Sequence, residues 1–228
     1  MAAPAKAPAL TYRNGPLLTA VQVFTIFWGS AWRQAEAAQA QELNAFFDFV
    51  LTSPLIDQLA EYSVSGQTIG QGSRVGTLTL TSPEPAQGVS DSDIQQLLRD
   101  QIAAGALPAA GQGSLYFVYL PPGVTVSAFG SSSCASFCGY HDRMDGQVYY
   151  AVMPHPDCTG CVGGLDSLSA LTSTSSHELC EAITDPVPGQ GWYDDSNGEI
   201  GDICAWQVKQ VGQYTVQLEW SNKQRACV

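Results

Sequence analysis

The amino-acid sequence predicts a domain of the α/β (α+β) class, in which a mixed sheet supports a central helix that carries the functional site. Three observations predict it. Apolar, β-prone runs recur between segments whose apolar residues are three or four positions apart, as on one face of a helix. A long helical segment follows one of these strands and contains the pattern His-Glu-x-x-Glu. The 228 residues are 45% hydrophobic, which is enough for one sizeable core.

Strands and helices alternate through the first half of the chain. A Pro- and Ala-rich arm over residues 1–16 comes first. The elements predicted after it are a buried strand through 24–28, a helix over 43–51, a second helix over 55–62, a strand over 75–81 and a helix that begins at Ser90. Pro54 separates the first two helices, because proline breaks a helix interior. Ser90 and Asp93 resemble a capping box, which favours a helix start there.

The second half of the chain is predicted to hold the site helix between two β segments. The elements predicted there are a strand over 115–120, a Gly/Ser/Cys-rich loop over 127–146, a strand over 147–153, a helix over 165–184, a polar loop to about 202 and a hairpin over about 206–220. We expect the strand over 147–153 at the sheet edge, where extended substrate backbone would pair with it. Residues 17–228 should form a single domain, with two lobes, 17–164 and 165–228, as the alternative.

The charge of the chain excludes some partners. Lys and Arg number 9 and Asp and Glu 21, so the net charge is −12. This polyanion has no basic cluster and should not bind nucleic acid. No apolar run reaches the ~18–20 residues that span a bilayer, so no membrane contact is expected. The first ten residues lack the apolar core of a signal peptide and resemble a mature or trimmed terminus with an added methionine.

Seven cysteines indicate the compartment. They are Cys134, Cys138, Cys158, Cys161, Cys180, Cys204 and Cys227. Two close pairs, at 134/138 and 158/161, are compatible with a four-cysteine zinc knuckle, but an acidic, Lys-poor chain favours disulfides in an oxidising, extracellular compartment. The odd number leaves one thiol free, and Cys180 in the site helix is the candidate.

The His-Glu-x-x-Glu pattern predicts a metal site. His177 and Glu181 lie one helical turn apart, so both can reach one point. This spacing resembles the zinc motif His-Glu-x-x-His, with a carboxylate in place of the second histidine. Glu178 would then be the general base that takes a proton from the attacking water. The alternative is a solvated helix face on which these carboxylates bind nothing.

A third ligand must come from another part of the chain. Glu199 and Asp202 both follow the site helix at a distance that allows the chain to return, and the pattern does not separate them. Asp185, before Pro186, is either a further ligand or a turn residue. Zinc is the expected metal. Calcium is possible because the loop with Asp194, Asp195, Asn197 and Glu199 is rich in oxygen ligands.

Two further histidines have open roles. His141 lies in the predicted Gly/Ser/Cys-rich loop and is a candidate catalytic residue: it would be a metal ligand or a donor to a developing oxyanion, or else a loop histidine bonded to backbone. His155, between Pro154 and Pro156, is expected to be structural.

Sequence blocks between residues 12 and 206 occur in an order that is typical of one protein family. The blocks are Tyr12-Arg-Asn-Gly-Pro-Leu-Leu-Thr19, Phe27-Trp28-Gly29, Cys134-x-x-x-Cys138-Gly-Tyr-His141, the pair Cys158 and Cys161, His177-Glu-Leu with Thr184-Asp185-Pro186, Gly191-Trp192-Tyr193, and Glu199-Ile-Gly-Asp202-Ile-Cys204. Together they resemble the Exordium-like (phosphate-induced) proteins, especially bacterial and fungal members. The resemblance implies an extracellular protein with a zincin-like core; plant members are associated with cell-wall growth responses.

The sequence therefore favours a secreted zinc metallohydrolase, a peptidase that cleaves peptide or protein substrates with metal-activated water. Its oligomeric state does not follow from the sequence. One alternative is an extracellular binding or signalling protein in which the metal is structural. Another is a metal-dependent hydrolase of esters or glycans.

Overall fold

Strands and helices alternate along the chain, and a computed structural model describes residues 7–228. The α-helices of this range are α1 (Ala37–Val50), α2 (Pro54–Asp57), α3 (Asp91–Ala103), α4 (Thr159–Val162) and α5 (Ser167–Thr184). The strands are β1 (Thr11–Tyr12), β2 (Gln22–Trp28), β3 (Ser73–Leu80), β4 (Gly88–Ser90), β5 (Ser114–Tyr119), β6 (Thr125–Ala128), β7 (Ser131–Ser132), β8 (Tyr140–Met144), β9 (Val148–Met153), β10 (Trp192–Tyr193), β11 (Val208–Val211), β12 (Tyr214–Gln217), β13 (Trp220–Ser221) and β14 (Ala226–Cys227). Short 3-10 helices cover Ser30–Arg33, Gln58–Tyr62 and Asp202–Cys204.

The central sheet has five strands in the order β3-β2-β5-β9-β8. The first four are parallel, and β8 runs antiparallel to β9. Strands β2 and β5 are buried over almost their whole length, as expected of parallel strands whose two faces are both covered. The predicted mixed sheet of an α/β protein is therefore confirmed.

Helices cover both faces of this sheet. On one face, α1 and α5 pack on a core that includes Phe117 of β5. On the other face, Ile94 and Leu98 of α3 join a second cluster with Tyr116 and Val118. Neighbouring residues of β5 belong to different clusters because successive side chains of a strand point to opposite faces. The capping box predicted at Ser90 starts α3.

Helix α5 holds the His-Glu-x-x-Glu pattern at the centre of the molecule. It begins after Asp166, whose carboxylate accepts the backbone N–H of Ser169 as an N-cap. It ends at Thr184, because the residue before Pro186 is disfavoured in a helical conformation. The helix lies between the sheet and the β11–β12 hairpin, so most of its residues are buried.

Two predictions about the sheet edge are wrong. The predicted loop over 127–146 contains β7 and β8, because Tyr140 and Met144 are buried against the sheet despite the Gly, Ser and Cys residues around them. The strand predicted over 147–153 forms as β9, but it lies between β5 and β8. Strand β8 is therefore the edge strand on that side of the sheet.

Three disulfides are present, as predicted. Cys134–Cys158 and Cys138–Cys161 tie the segment before β8 to the segment at α4. Cys204–Cys227 fastens the C-terminal strand. Their sulfurs are bonded to each other, which removes the zinc-knuckle alternative. Cys180 is the one free cysteine in the described range, and it is buried in α5.

The N-terminal arm is bound to the rest of the protein from about residue 9 onward. Strand β1 pairs with β10, and Leu10 is buried in the same core as Trp220 near the C-terminus. This core contains side chains from 17–164 and from 165–228. Within residues 7–228, no helix is long and apolar enough to cross a membrane.

Candidate metal centre

Histidines and carboxylates from three parts of the chain meet beside α5. His177, Glu178 and Glu181 come from the helix, and His141 comes from the edge strand β8. Glu178 and Glu181 are only 4% and 3% exposed. The alternative of a solvated helix face is therefore wrong: these carboxylates are buried, and buried charges need a partner or a bound ion.

The first group of ligand atoms surrounds His177. Its Nε2 lies 3.1 Å from Oε1 of Glu181, one turn further along the helix. Asp202 joins them, with one ligand atom from each of the three residues within 4.8 Å of the others. The backbone N–H of Asp202 also donates to Oε1 of Glu181 at 3.1 Å, which fixes the loop against the helix.

The second group surrounds His141. Its Nδ1 lies 3.2 Å from Oε2 of Glu178 and 3.6 Å from Oε2 of Glu181. Its Nε2 lies 3.2 Å from the backbone carbonyl of Asp185. Because a carbonyl only accepts, Nε2 carries a hydrogen there, and in the neutral imidazole Nδ1 is the bare nitrogen.

Glu199 and Asp185 take different positions from Asp202. Oε1 of Glu199 lies 3.5 Å from Nε2 of His141, on the side of the ring away from Glu181. It does not join the His177 group, and among the described residues this buried oxygen has no hydrogen-bond partner. The Asp185 carboxylate accepts the backbone N–H groups of Gly189, Gln190 and Gly191, so it holds the turn after α5.

The carboxylates raise the pKa of both imidazoles. Burial lowers the pKa of His141, but Glu199, Glu178 and Glu181 outweigh burial and raise it to about 10. Burial likewise opposes protonation of His177, and Glu181 raises its pKa well above the ordinary value. The pKa of Glu199 rises to about 10 through burial and the nearby Glu181 charge. A cation that bound here would displace these protons.

Residues of the C-terminal hairpin orient His177. Nε2 of Gln217 donates to Nδ1 of His177 at 2.8 Å and to the Gly201 carbonyl at 2.9 Å. A Cβ at Gly201 would lie 2.7 Å from Nδ1 of His177, so only glycine allows the loop to approach the ring. Glu219 is fully buried, and neither of its carboxylate oxygens has a hydrogen-bond partner in the part of the chain that the structure describes. The sequence did not point to Gln217, Glu219 or Gly201 as site residues. Polar residues within the predicted hairpin over about 206–220 were the one available indication, and they concern Gln217 and Glu219 alone.

A cleft of about 630 Å³ opens next to the cluster. His177, Glu178 and Asp202 line it, whereas His141 does not. The two disulfide-bonded segments, 134–139 and 160–163, form part of its wall. Trp206, 66% exposed, also lines the cleft, next to Gly163. The His177 group is thus accessible to a ligand, and the His141 group lies deeper.

Other predicted residues lie outside the cluster. The Asp194 carboxylate accepts N–H groups from Ala9, Ser196 and Asn197, so its oxygens hold a turn rather than point at an ion. His155 contacts the Ser167 hydroxyl at the start of α5. Ser167 is ten residues before His177, about 15 Å along the helix.

Comparisons with known proteins give little further information. No protein-family model matches the chain, and no curated protein does. Among solved structures, it is similar to a chain of a chaperone–substrate complex, with 15% sequence identity and a TM-score of 0.40. The match covers 81% of this chain, which spans only 28% of that chain.

Proposed function

We propose that this protein is a secreted zinc-dependent peptidase with a zincin-like core. The observation that carries the proposal is the His177–Glu181–Asp202 group, which lies at the wall of an open cleft with Glu178 beside it. One imidazole and two carboxylates match the donor types of catalytic zinc sites. The mixed sheet with an antiparallel edge strand next to the site helix is compatible with a zincin-like fold.

The donor set fits a divalent cation. The ligand atoms converge, and within residues 7–228 the only cationic partners within 4.0 Å of the buried Glu178 and Glu181 are the two histidines, whose protons a metal ion would replace. Of the third ligands considered, Asp202 is the one that faces His177 and Glu181. A zinc ion bound there would supply Lewis acidity, which polarises a carbonyl and lowers the pKa of water.

Glu178 is placed to act as the general base. Its Oε1 lies 4.0 Å from Nε2 of His177, so it borders the His177 group without belonging to it. It also lines the cleft. A carboxylate at this position accepts a proton from water that attacks a substrate carbonyl and can return it to the leaving amine.

His141 suits the role of ligand better than that of oxyanion donor. Its Nδ1 points at Glu178 and Glu181, and its Nε2 points at the Asp185 carbonyl. Neither nitrogen faces the cleft, where an oxyanion would develop.

The edge strand favours a peptide over an ester or a glycan. Within residues 7–228, strand β8 has one neighbour in the sheet, β9, and in this proposal its other edge pairs with an extended chain. Gly139, just before β8, is so close to the helix that a Cβ there would lie 3.1 Å from Oε1 of Glu178. A peptide paired with β8 would therefore pass close to the proposed base.

A binding protein with a structural metal is the second candidate. The depth of the cluster favours it, because His141, Glu178 and Glu181 are each at most 5% exposed. Structural metals contribute directly to folding free energy.

A library assay distinguishes the two candidates. Zinc-loaded protein should cleave peptides in a proteome-derived library, and removal of zinc with a chelator should stop cleavage until zinc is added back. Cleavage sites should share residues on one side of the scissile bond, as expected of a shaped cleft. Stoichiometric zinc without any cleavage would reject the peptidase and favour the structural metal; protein that never retains zinc would reject both.

A further inference from the structure

Glu181 faces two groups of metal-ligating atoms at once. Its Oε1 lies 3.1 Å from Nε2 of His177. Its Oε2 lies 3.6 Å from Nδ1 of His141. The two groups therefore share this residue but use different oxygens of its carboxylate.

Each group is complete enough to hold its own cation. The first consists of His177, Glu181 and Asp202, and the second of His141, Glu178 and Glu181; within each group the ligand atoms lie within 4.8 Å of one another. Two ligands of one zinc ion lie at most about 4.2 Å apart, twice a zinc–oxygen distance, so small side-chain shifts close either group. A carboxylate that offers one oxygen to each of two cations is a common bridge in two-metal sites, where the ions are ~3.5–4 Å apart.

We propose that this cluster is a two-cation centre, in which Glu181 bridges one divalent cation at His177 and Asp202 and a second at His141 and Glu178. The first position is that of the proposed function, on which this inference rests. The second position is new, and it lies deeper than the cleft.

The surroundings of His141 support the second position. Metal-binding histidines usually donate their other N–H to a carbonyl or carboxylate, which fixes the tautomer and the ring. His141 does so through Nε2, 3.2 Å from the Asp185 carbonyl. Glu199 gives further support: its Oε1 is buried, has no hydrogen-bond partner within residues 7–228, and lies 3.5 Å from the same nitrogen, so a second acceptor keeps the ring hydrogen on Nε2 and leaves Nδ1 for the cation.

The charge of the cluster is compatible with two cations. Glu178, Glu181 and Asp202 bring three negative charges, so one divalent cation would leave the group at 2 − 3 = −1 and two would leave it at 4 − 3 = +1. Within residues 7–228, the Arg–carboxylate pairs involve other acids, and no Lys or Arg nitrogen lies within 4.0 Å of these three. The buried Glu178 and Glu181 therefore depend on the histidines or on bound cations for their charge partners.

Glu178 can serve both parts of the centre. Its Oε2 faces His141 at 3.2 Å, and its Oε1 faces His177 at 4.0 Å. One oxygen would bind the second cation while the other remains directed at the cleft side as the base. The second cation would thereby hold Glu178 in place.

The experiment is a metal count on the whole chain. Chelator-treated protein is reloaded with Zn²⁺, desalted, and its metal-to-protein ratio measured by mass spectrometry. Wild type should hold two ions per chain, and His141→Ala and His177→Ala one each. His155→Ala is the matched control, because it removes the third histidine from outside the cluster, and it should hold two.

Mn²⁺-loaded wild type gives a second measurement that needs no variant. Two Mn²⁺ ions joined by a carboxylate are exchange-coupled, so their electron paramagnetic resonance spectrum should differ from the hyperfine pattern of isolated Mn²⁺. One ion per chain with an uncoupled spectrum would overturn the two-cation centre and leave the proposed function standing. Two coupled ions without peptide cleavage would support the centre and reject the proposed function. No bound ion would overturn both.

Discussion

Neighbouring side chains of α5 have different orientations, and this separates their roles. His177 and Glu178 are displaced by about 100° around the helix axis, so in the proposed site one would bind a cation at the cleft while the other would border it. The spacing of His177, Glu178 and Glu181 was readable from the sequence, because helix geometry is regular. The choice between Glu199 and Asp202 was not, because it depends on the path of a loop.

Glu178→Gln should separate chemistry from metal binding. Glutamine keeps the size of the side chain but cannot take up the proton, so we expect normal folding, at least one zinc per chain at His177, and peptide hydrolysis lowered by at least ~100-fold. Zinc content and initial rates on one cleaved peptide measure both effects. Unchanged cleavage by this variant would show that Glu178 is not the base.

Gly201→Ala should displace His177. The new Cβ would lie 2.7 Å from Nδ1 of the imidazole, closer than real contacts allow. We expect zinc affinity to fall by roughly 10–100-fold, as for other changes in the residues that orient a ligand. Competition with a zinc chelator measures it. Gly88→Ala is the control, because its Cβ would meet nothing closer than 3.9 Å; equal affinities in the two variants would contradict the role of Gly201.

At the scale of elements, the sequence predicted most strands and helices but not the position of β8. Its five residues follow a segment rich in Gly, Ser and Cys, which favours a loop in any local reading. What makes it a strand is pairing with β9 and the burial of Tyr140 and Met144, and both depend on the rest of the sheet. His141, which the sequence places in a loop, therefore lies on β8 at the centre of the cluster.

The disulfides between the segment before β8 and α4 should stabilise both the fold and the cleft wall, and Cys138–Cys161 provides the test. Cys138–Cys161 closes a loop with a sequence separation of 23. Replacing both cysteines by serine should lower the free energy of unfolding by roughly 2–3 kcal/mol, toward the lower end for a disulfide, because Cys134–Cys158 still closes most of the same loop. It should also raise KM more than it lowers kcat, because the wall of the cleft moves while the cation ligands stay. Denaturant unfolding measures the loss of stability and steady-state kinetics measures KM and kcat, with Cys180→Ser as the single-thiol control. An unchanged KM would show that this disulfide has no part in substrate binding.

At the scale of the whole molecule, the charge of −12 and the core were predictable from composition, but the accumulation of acids around α5 was not. Glu199 and Glu219 follow Glu181 by 199 − 181 = 18 and 219 − 181 = 38 residues, and only the path of the chain after α5 brings them to the helix carboxylates. Without a cation, the cluster retains protons that the unfolded chain would release. The stability of the metal-free protein should therefore depend on pH.

Metal-free protein should lose stability as the pH rises from 7 to 9. The pKa of His141 is about 10 in the folded chain against an ordinary 6.5, so its contribution is complete below pH 6.5 and is lost as the pH approaches 10. Glu199 acts in the same direction, because its pKa is also raised to about 10, from an ordinary 4.5. Carboxylates with a lowered pKa, such as Asp166 and Asp194, titrate at acid pH and do not contribute in this window.

If the folded state holds one proton more than the unfolded chain, the free energy of unfolding falls by about 1.4 kcal/mol for each unit of rising pH. At about 2–4 °C per kcal/mol for a chain of this size, the Tm of metal-free protein should fall by at least ~5 °C between pH 7 and pH 9. The Tm of zinc-loaded protein should change by less than half as much, because ligation holds the imidazoles neutral across the range.

Glu199→Gln removes one of the titrating groups and should reduce the dependence of the metal-free Tm on pH. Thermal unfolding in chelator and in excess zinc, at several pH values, gives the comparison. A metal-free Tm that rises with pH would mean that the cluster does not hold its protons, and the geometry assigned to His141 would have to be revised.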